Sequence, residues 1–349
     1  MKEELKIAIY GAGAMGTVLG AFLSDCGLDA RVDLISRNRT HIEAMKEKGA
    51  RVVCTATGTT YTERVNALVP EEMTEPYDVI FLMTKQKDNA RTAGFLKNYL
   101  KADGVLCTTQ NGLPEEILAE IIGEDRVYGG VCAWGANLVG DGVAELTSDP
   151  AGMSIEIGSY SGRCDKLKEL REILSAVGEI SGNPSFVTVT DNLEGARWSK
   201  LAINAAFSGL SVVTGLTFGE IAKRRRSRKI ALGILRECFA VASELGVKLE
   251  KIQGHDMEKL LGEPGFFGTQ KAMFLLPIAM RRHKRLVSGM LLDLERGRKC
   301  EIDYIDGAVC ALGDRCSVET PLCDKVVETV HGIENGLYEI SEKNLDFFC

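Results

Sequence analysis

The sequence predicts an α/β protein with a doubly wound parallel sheet in its first half and an all-α domain after it. Three observations carry that prediction. Apolar runs of strand length alternate with helical stretches over the first half, the signature of βαβ units. A glycine-rich string, Gly11-Ala12-Gly13-Ala14-Met15-Gly16, joins the first apolar run to the first helical one. Beyond Thr190 the strand pattern gives way to long helical patterns.

Taken in order, residues 6–10 read as a strand, 15–25 as a helix, 31–36 as a strand and 39–47 as a helix. Strands recur at 51–56, 66–69, 78–84, 104–110 and 127–134. The runs 143–147 and 153–157 follow with no helix between them and read as an antiparallel extension of the sheet. A helix at 165–177 and a strand at 185–189 close this half. The main helical candidates after it are 191–207, 228–245, 269–296 and 301–313. The expected domains are 1–189 and 190–349, with no Pro- or Ser-rich linker at the join.

With 349 residues, the chain has room for two domains at about 150 residues each. It is 45% hydrophobic and 26% charged, which excludes disordered, collagen-like and small disulfide-stapled classes. The 42 basic and 49 acidic residues leave a net charge of -7, against bulk attraction to nucleic acid or an anionic membrane. The 11 cysteines include no CxxC pair and no histidine at ligand spacing, so no metal site is expected. So many scattered thiols point to a reducing cytoplasm. The start, MKEELKIAIYGAG, has no signal-peptide stretch. Residues 201–219 carry no charge, but their Asn, Ser, Thr and Gly content reads as a buried helix and not a membrane span.

The glycine string has the context that makes G-x-G-x-x-G informative: the strand KIAIY before it and the helix VLGAFL after it. Gly11 permits the tight turn, Gly13 lets the backbone approach a pyrophosphate, and Gly16 allows helix–strand packing. The free N–H groups of the helix start, including Ala12, Ala14 and Met15 in the cradle, suit an anion. This reads as a Rossmann-type cofactor site, with a mere glycine turn as the alternative. At the tip of the second strand a carboxylate would select NAD and a cation NADP. The chain reads Asp33-Leu34-Ile35-Ser36-Arg37-Asn38-Arg39. Asp33 falls too early, while Arg37 stands at the tip, so NADP(H) is expected. Ordinary surface cations at a helix start are the alternative.

Two further strand ends are polar. Lys85 follows the strand 78–84, and Asn111 follows 104–110; both are placed to line cofactor and substrate, since ligands lie outside the carboxyl ends of such strands. A solvated lysine is the plain alternative for Lys85. In the helical half, Lys200, Asn204 and Ser208 are spaced i, i+4, i+8 on an otherwise apolar helix. Such a stripe must meet water or a polar partner. Lys200 either protonates a carbonyl oxygen on its way to an alkoxide or snorkels to the surface. Glu301 heads a stripe with Ile305, Ala308 and Leu312; it either accepts a hydrogen bond from a substrate hydroxyl or stabilises a helix start.

Together these residues resemble the ketopantoate reductase (2-dehydropantoate 2-reductase) family. The resemblance spans nearly the whole chain: GAGAMG at 11–16, ISR at 35–37, MTKQ at 83–86, QNG at 110–112, GGV at 129–131, WSKLAIN at 198–204 and CEIDYIDG at 300–307. It implies a Rossmann domain, a helical C-terminal domain and a cleft between them. It implies NADPH-dependent reduction of ketopantoate to pantoate, by hydride transfer to C2 of a 2-oxo acid, on the route to pantothenate and coenzyme A. Lys200 would be the general acid and Glu301 the group that binds the substrate hydroxyl. Asn204 would position the substrate, Asn111 and Lys85 would flank the nicotinamide ribose and reacting centre, and Arg37 would hold the 2′-phosphate.

Two departures touch the substrate. Ser208 stands where the family often has a second Asn, followed by Gly209-Leu210-Ser211 in place of Pro-Leu-Thr-Ala. The family's substrate-binding serine, twelve residues before the glutamate, falls on Gly289, with Ser288 beside it. A reductase of another 2-oxo acid, or a β-hydroxyacid dehydrogenase-like enzyme, are the alternatives, and CEIDYIDG and Lys85 speak against the latter. An NADPH-binding regulator without turnover is disfavoured by the presence of both Lys200 and Glu301. The basic runs 223–229 and 281–285 read as solvated helix faces or a subunit contact, as in a homodimer, and not as a nucleic-acid surface.

Overall fold

A computed structural model describes residues 4–252 and 254–348, with the side chain of Arg282 left out. The chain divides into two compact units: residues up to Gln110 with Pro114–Leu193, and Asn111–Leu113 with the residues from Glu194 onward.

In the first unit, strands and helices alternate: β1 (Leu5–Tyr10), α1 (Ala14–Asp25), β2 (Ala30–Ile35), α2 (Arg39–Lys48), β3 (Ala50–Cys54), β4 (Thr60–Glu63), β5 (Asn66–Leu68), β6 (Tyr77–Leu82), α3 (Asn89–Leu96), β7 (Leu100–Thr108), α4 (Glu115–Ile122), β8 (Val127–Cys132), β9 (Ala136–Gly140), β10 (Val143–Leu146), β11 (Ile155–Ser159), α5 (Leu167–Ser181) and β12 (Val187–Val189). The main sheet has the order β12-β11-β8-β7-β6-β1-β2-β5. From β5 to β8 the pairing is parallel; β11 runs antiparallel to β8, and β12 parallel to β11. Strand order reverses beside β1, the place where such sheets bind ligands. The parallel strands read as continuous apolar runs because both faces are covered, with Ile7, Ile9, Leu34, Phe81 and Leu106 all buried.

A second sheet, β4-β3-β10-β9, corrects the expected layout. The runs at 51–56 and 143–147 do not join the main sheet. Instead β10 pairs parallel with β3 and antiparallel with β9. The cause is a turn at Asp141-Gly142, with Gly142 at φ 72°, that folds β9 back onto β10. Of the two runs expected as an antiparallel extension, only 153–157 takes that place, as β11. The small sheet packs on α1, which also packs on β1 and β2. Helix α1 is therefore covered all round, and Gly16 to Leu23 are buried without a break.

The second unit is helical: α6 (Leu193–Asn204), a π turn (Ala205–Gly209), α7 (Leu210–Thr214), α8 (Phe218–Lys223), α9 (Arg225–Glu244), α10 (Met257–Leu261), α11 (Gly265–Ala279), α12 (Gly289–Glu295), α13 (Asp306–Cys316) and α14 (Pro321–Glu334). Its core gathers Trp198, Leu201, Phe207, Leu210, Leu235, Val309 and Val326. The uncharged stretch 201–219 lies in this core. Among the described residues no helix is long and apolar enough to cross a membrane.

Two expected helices are broken. The stretch 269–296 splits because the main chain at Lys284 and Leu286 accepts N–H bonds from Gly219 (3.3 Å) and Phe218 (3.0 Å). A Cβ on Gly219 would come within 2.5 Å of the Lys284 carbonyl oxygen, so glycine is what admits that strap. The stretch 301–313 splits into a 3-10 turn (Ile302–Tyr304) and α13, parted at Ile305 with φ −113° and ψ −89°. Glu301 caps the short turn and does not head the stripe that a continuous helix would have given it.

Candidate active site

In the first unit the glycine string makes a cradle out of main chain. Gly11 has φ 107°, and a Cβ there would come within 2.5 Å of the Thr84 nitrogen. At Gly16 a Cβ would lie 2.4 Å from the Gly11 carbonyl oxygen. Packing alone therefore requires glycine at both. At Gly13 it does not, since the nearest atom to an added Cβ is 3.9 Å away. Gly13 instead keeps clear the space over the start of α1. It caps that helix without any side-chain bond, and no acidic residue stands in the first turn. The first intrahelical bond is Thr17 N to Gly13 O at 2.8 Å, so the N–H groups of Ala14, Met15 and Gly16 remain for an anion. The loop is held from below: the N–H groups of Gly11 and Ala12 both donate to the Ile35 carbonyl, at 2.9 and 2.8 Å.

At the end of β2, Asp33 is buried and accepts bonds from Arg31 Nε (2.9 Å), Asn66 Nδ2 (2.6 Å) and the Tyr77 hydroxyl (2.7 Å). Burial and that carboxylate hold the Tyr77 proton on well above the usual phenol range. Asp33 is thus held by three donors within the unit. The tip carries Ser36, Arg37 and Arg39. Arg37 is 70% exposed and pairs with Asp88 at 3.6 Å, and Arg39 pairs with Glu71 at 3.3 Å. Burial pushes the Tyr10 hydroxyl up, while the charges of Arg37 and Arg91 oppose that shift. Arg91, on α3, adds a third cation near this tip, one that the sequence pattern does not single out.

After β6 and β7 come Lys85, which is exposed, and Asn111, which groups with the second unit. Beneath Lys85 a buried amide pair locks the two strand ends together. Gln110 Nε2 donates to Asn89 Oδ1 and to the Thr84 carbonyl, both at 2.8 Å. Asn89 Nδ2 and the Thr108 hydroxyl donate to Gln110 Oε1 at 3.1 and 3.0 Å. Sequence reasoning missed this pair, although Gln110 stands inside the QNG string; a polar side chain at a buried strand end was the available signal.

In the second unit, α6 and the π turn carry Lys200, Asn204 and Ser208, each half-buried between the buried Trp198, Leu201 and Phe207. Glu301 is also half-buried. Ser288 is buried, and its hydroxyl accepts the Met290 N–H at 3.1 Å, capping α12. The cap uses one lone pair of that hydroxyl and leaves its proton and a second lone pair for another partner. Gly289 is exposed, and a Cβ there meets nothing within 4 Å.

Two members of the first basic run are tied to other parts of the unit. Arg224 pairs with Glu342, and Arg226 pairs with Asp346 at 2.6 Å and donates to the Leu345 carbonyl at 3.1 Å. In the second run Arg281, Lys284 and Arg285 are exposed. None of the ten described cysteines is in a disulfide, and Cys349 lies outside the described residues. Among the described residues no His, Cys, Asp and Glu group could hold a metal ion.

Comparison with known proteins decides the family. A profile described as Ketopantoate reductase PanE/ApbA matches residues 7–162, and its C-terminal counterpart matches residues 192–334. The chain belongs to the ketopantoate reductase family. Relatives of this family named 2-dehydropantoate 2-reductase include one from Pyrococcus horikoshii, 28% identical over 91% of this chain and 94% of its own. Another, from Lactococcus lactis, is 27% identical over 95% of this chain and 99% of its own. A family structure from Ralstonia eutropha superposes with a TM-score of 0.78 at 25% identity, covering 95% of this chain and 99% of that one. D-mandelate dehydrogenase, solved with NADH and anilino(oxo)acetate, shares the fold at 24% identity, with a TM-score of 0.79 and the same coverage.

Proposed function

We propose that this member of the ketopantoate reductase family reduces ketopantoate to pantoate with NADPH. The observation that carries the reading is the cradle at Gly11–Gly16, with Gly13 free of any packing demand and an uncapped helix start beneath it. That geometry fits a pyrophosphate. A bound nicotinamide cofactor supplies the hydride for C2 of the substrate. Arg37, beside Ser36, offers the cation that a 2′-phosphate requires, and Asp33 is spent within the unit.

The remaining roles belong to side chains. Lys85 and Asn111 flank the nicotinamide ribose and the reacting centre. Lys200 holds the proton that passes from its Nζ to the carbonyl oxygen as negative charge develops there. Glu301 accepts a hydrogen bond from the substrate hydroxyl, and Asn204 and Ser208 orient the 2-oxo acid. The many described cysteines outside disulfides support a reducing, cytoplasmic setting, and a homodimer is the assembly we expect.

The test is NADPH and NADH oxidation with ketopantoate beside a panel of 2-oxo acids. NADPH with ketopantoate should give the highest kcat/KM, and a preference for NADH would overturn the cofactor assignment. One observation favours a second reading, reduction of a different 2-oxo acid: the open space at Gly289, where the family places a substrate-binding serine. Activity far higher on another acid would establish it.

A further inference from the structure

The helix that carries Lys200 and Asn204 is interrupted directly after Asn204 by the π turn Ala205–Gly209, packed on α8, α9, α12 and α14. A π turn bonds i to i+5, and isolated ones recur at functional sites. Behind its last residue lies Asp306, the first residue of α13. Asp306 has no exposed surface, and neither of its carboxyl oxygens has a hydrogen-bond partner. A Cβ on Gly209 would fall 2.9 and 3.0 Å from those two oxygens. The carboxyl group therefore rests on the main chain of the π turn, and only glycine there leaves it room.

Buried polar groups without partners are rare and call for a physical account. An isolated carboxylate in an apolar interior is costly enough that the group takes up a proton instead. The surroundings act in that direction. Glu237 on α9, whose carboxylate accepts the N–H groups of Leu322 and Cys323 at 2.9 Å, adds like charge. The thiols of Cys310 on α13 and of Cys238 and Cys323, on α9 and α14, complete the cluster; burial and a bond with Asp324 hold the proton of Cys310 on, and a bond with Cys238 together with burial holds that of Cys323. The main-chain N–H of Asp306 works the other way, and burial outweighs it. A neutral acid can pack against the main chain at Gly209 without the cost of burying a charge.

We propose that Asp306 is a positioning residue: a neutral carboxylic acid wedged on Gly209 that holds the π turn and so fixes where Asn204 and Ser208 present their polar groups to the 2-oxo acid. This rests on the reductase reading for its kinetic consequence but not for its structural one.

The experiment compares the full-length wild type with Asp306→Asn, a neutral isostere that still donates, and Asp306→Ala. An acid that holds its proton more tightly folded than unfolded stabilises the fold below its unfolded value of about 3.9, and that stability is lost as pH rises toward the folded value. Asp306→Asn should therefore have a Tm at or above wild type at alkaline pH, with the gap closing as pH falls. Amide hydrogen exchange over 205–210 should be unchanged in Asp306→Asn and faster in Asp306→Ala. KM for ketopantoate should rise about tenfold in Asp306→Ala, as the π turn loses the group packed on it, with NADPH affinity and kcat little moved, and should return on Asp306→Asn. A lower Tm for Asp306→Asn at alkaline pH, or equal loss of exchange protection in both variants, would mean that the negative charge itself is needed and would overturn the proposal. If Asp306→Ala does not fold, the Asp306→Asn comparison decides alone. If no 2-oxo acid is reduced by the wild type, the functional reading fails while Tm and exchange still test Asp306.

Discussion

The cradle at Gly11–Gly16 and the helix around Lys200 are made from different parts of the polypeptide. In the cradle the working groups are main-chain N–H groups, and side chains matter by being absent. Gly11 and Gly16 are fixed by contacts of 2.5 and 2.4 Å that a Cβ would make, and Gly13 keeps a space clear. On the helix the proposed working groups are side chains, and the main chain matters through the π turn that follows Asn204 and carries Ser208. A site of the first kind tolerates no added atoms but has no single group to delete. A site of the second kind can be switched off at one position. The comparison predicts unequal responses to mutation in the two units.

The largest effect is expected on the helix. Replacing Lys200 with Ala should lower kcat by roughly 10²–10⁴ with NADPH binding intact, the range for a lost general acid. A loss below tenfold in a folded variant would remove that role and place the proton donor elsewhere. On the cradle side, Arg37 is the side chain we propose for cofactor choice. Losing a charge-assisted contact worth about 1.5–3 kcal/mol, Arg37→Ala should weaken NADPH by about 10- to 100-fold and leave NADH within about twofold. Equal weakening of both cofactors, read by fluorescence titration, would place the 2′-phosphate away from Arg37.

Within the cradle the three glycines should separate. Gly16→Ala forces a Cβ against the Gly11 carbonyl and should destabilise the fold by about 1–3 kcal/mol, visible as a fall in Tm. Gly13→Ala meets only the Gly11 oxygen at 3.9 Å, so Tm should hold while NADPH affinity falls about tenfold from a methyl in the anion's place, or about 1.4 kcal/mol. Unchanged cofactor affinity in Gly13→Ala would mean that no pyrophosphate sits over the start of α1.

The same contrast explains what was legible in the sequence. A backbone-built site leaves a string with fixed spacing, so Gly11, Gly13, Gly16 and the strand tip at Arg37 could be read directly. The parallel sheet was legible because its strands are continuous apolar runs between helical stretches. The small sheet was not, because β3 and β10 look like main-sheet strands, and only the Asp141-Gly142 turn shows that the chain doubles back. On the helical side, periodicity grouped Lys200, Asn204 and Ser208 but assumed one uniform helix. The π turn is a tertiary outcome, forced by packing from four helices and by a carboxyl group at Asp306, far along the chain. The break before α13, which takes Glu301 off the helix, likewise depends on a backbone angle at Ile305 that no residue type announces.

The smallest effect joins the two sheets of the first unit. His41 on α2 is buried, and its Nδ1 accepts the Gly142 N–H at 2.9 Å. Nδ1 therefore carries no proton, and Nε2–H donates to the Thr17 hydroxyl at 3.1 Å, in the turn of α1 that closes the cradle. Burial lowers the proton affinity of the ring, and the charge of Asp141 and a bond with the main chain of Ala12 oppose it. With its folded value below the ordinary 6.5, His41 contributes stability that is whole above that pH and lost as pH falls through the folded value. A protonated ring cannot accept the Gly142 N–H, so the tie between hairpin and cradle breaks in acid. NADPH affinity should then fall about threefold, less than 1 kcal/mol, between neutral pH and about pH 5.5. His41→Asn keeps an acceptor for Gly142 without titrating, and its affinity should stay flat over that range. Titrating NADH beside NADPH separates this from ionisation of the 2′-phosphate, which has its own pKa near 6. A parallel decline in wild type and His41→Asn with both cofactors would assign the proton to another group and leave the cradle rigid across the range.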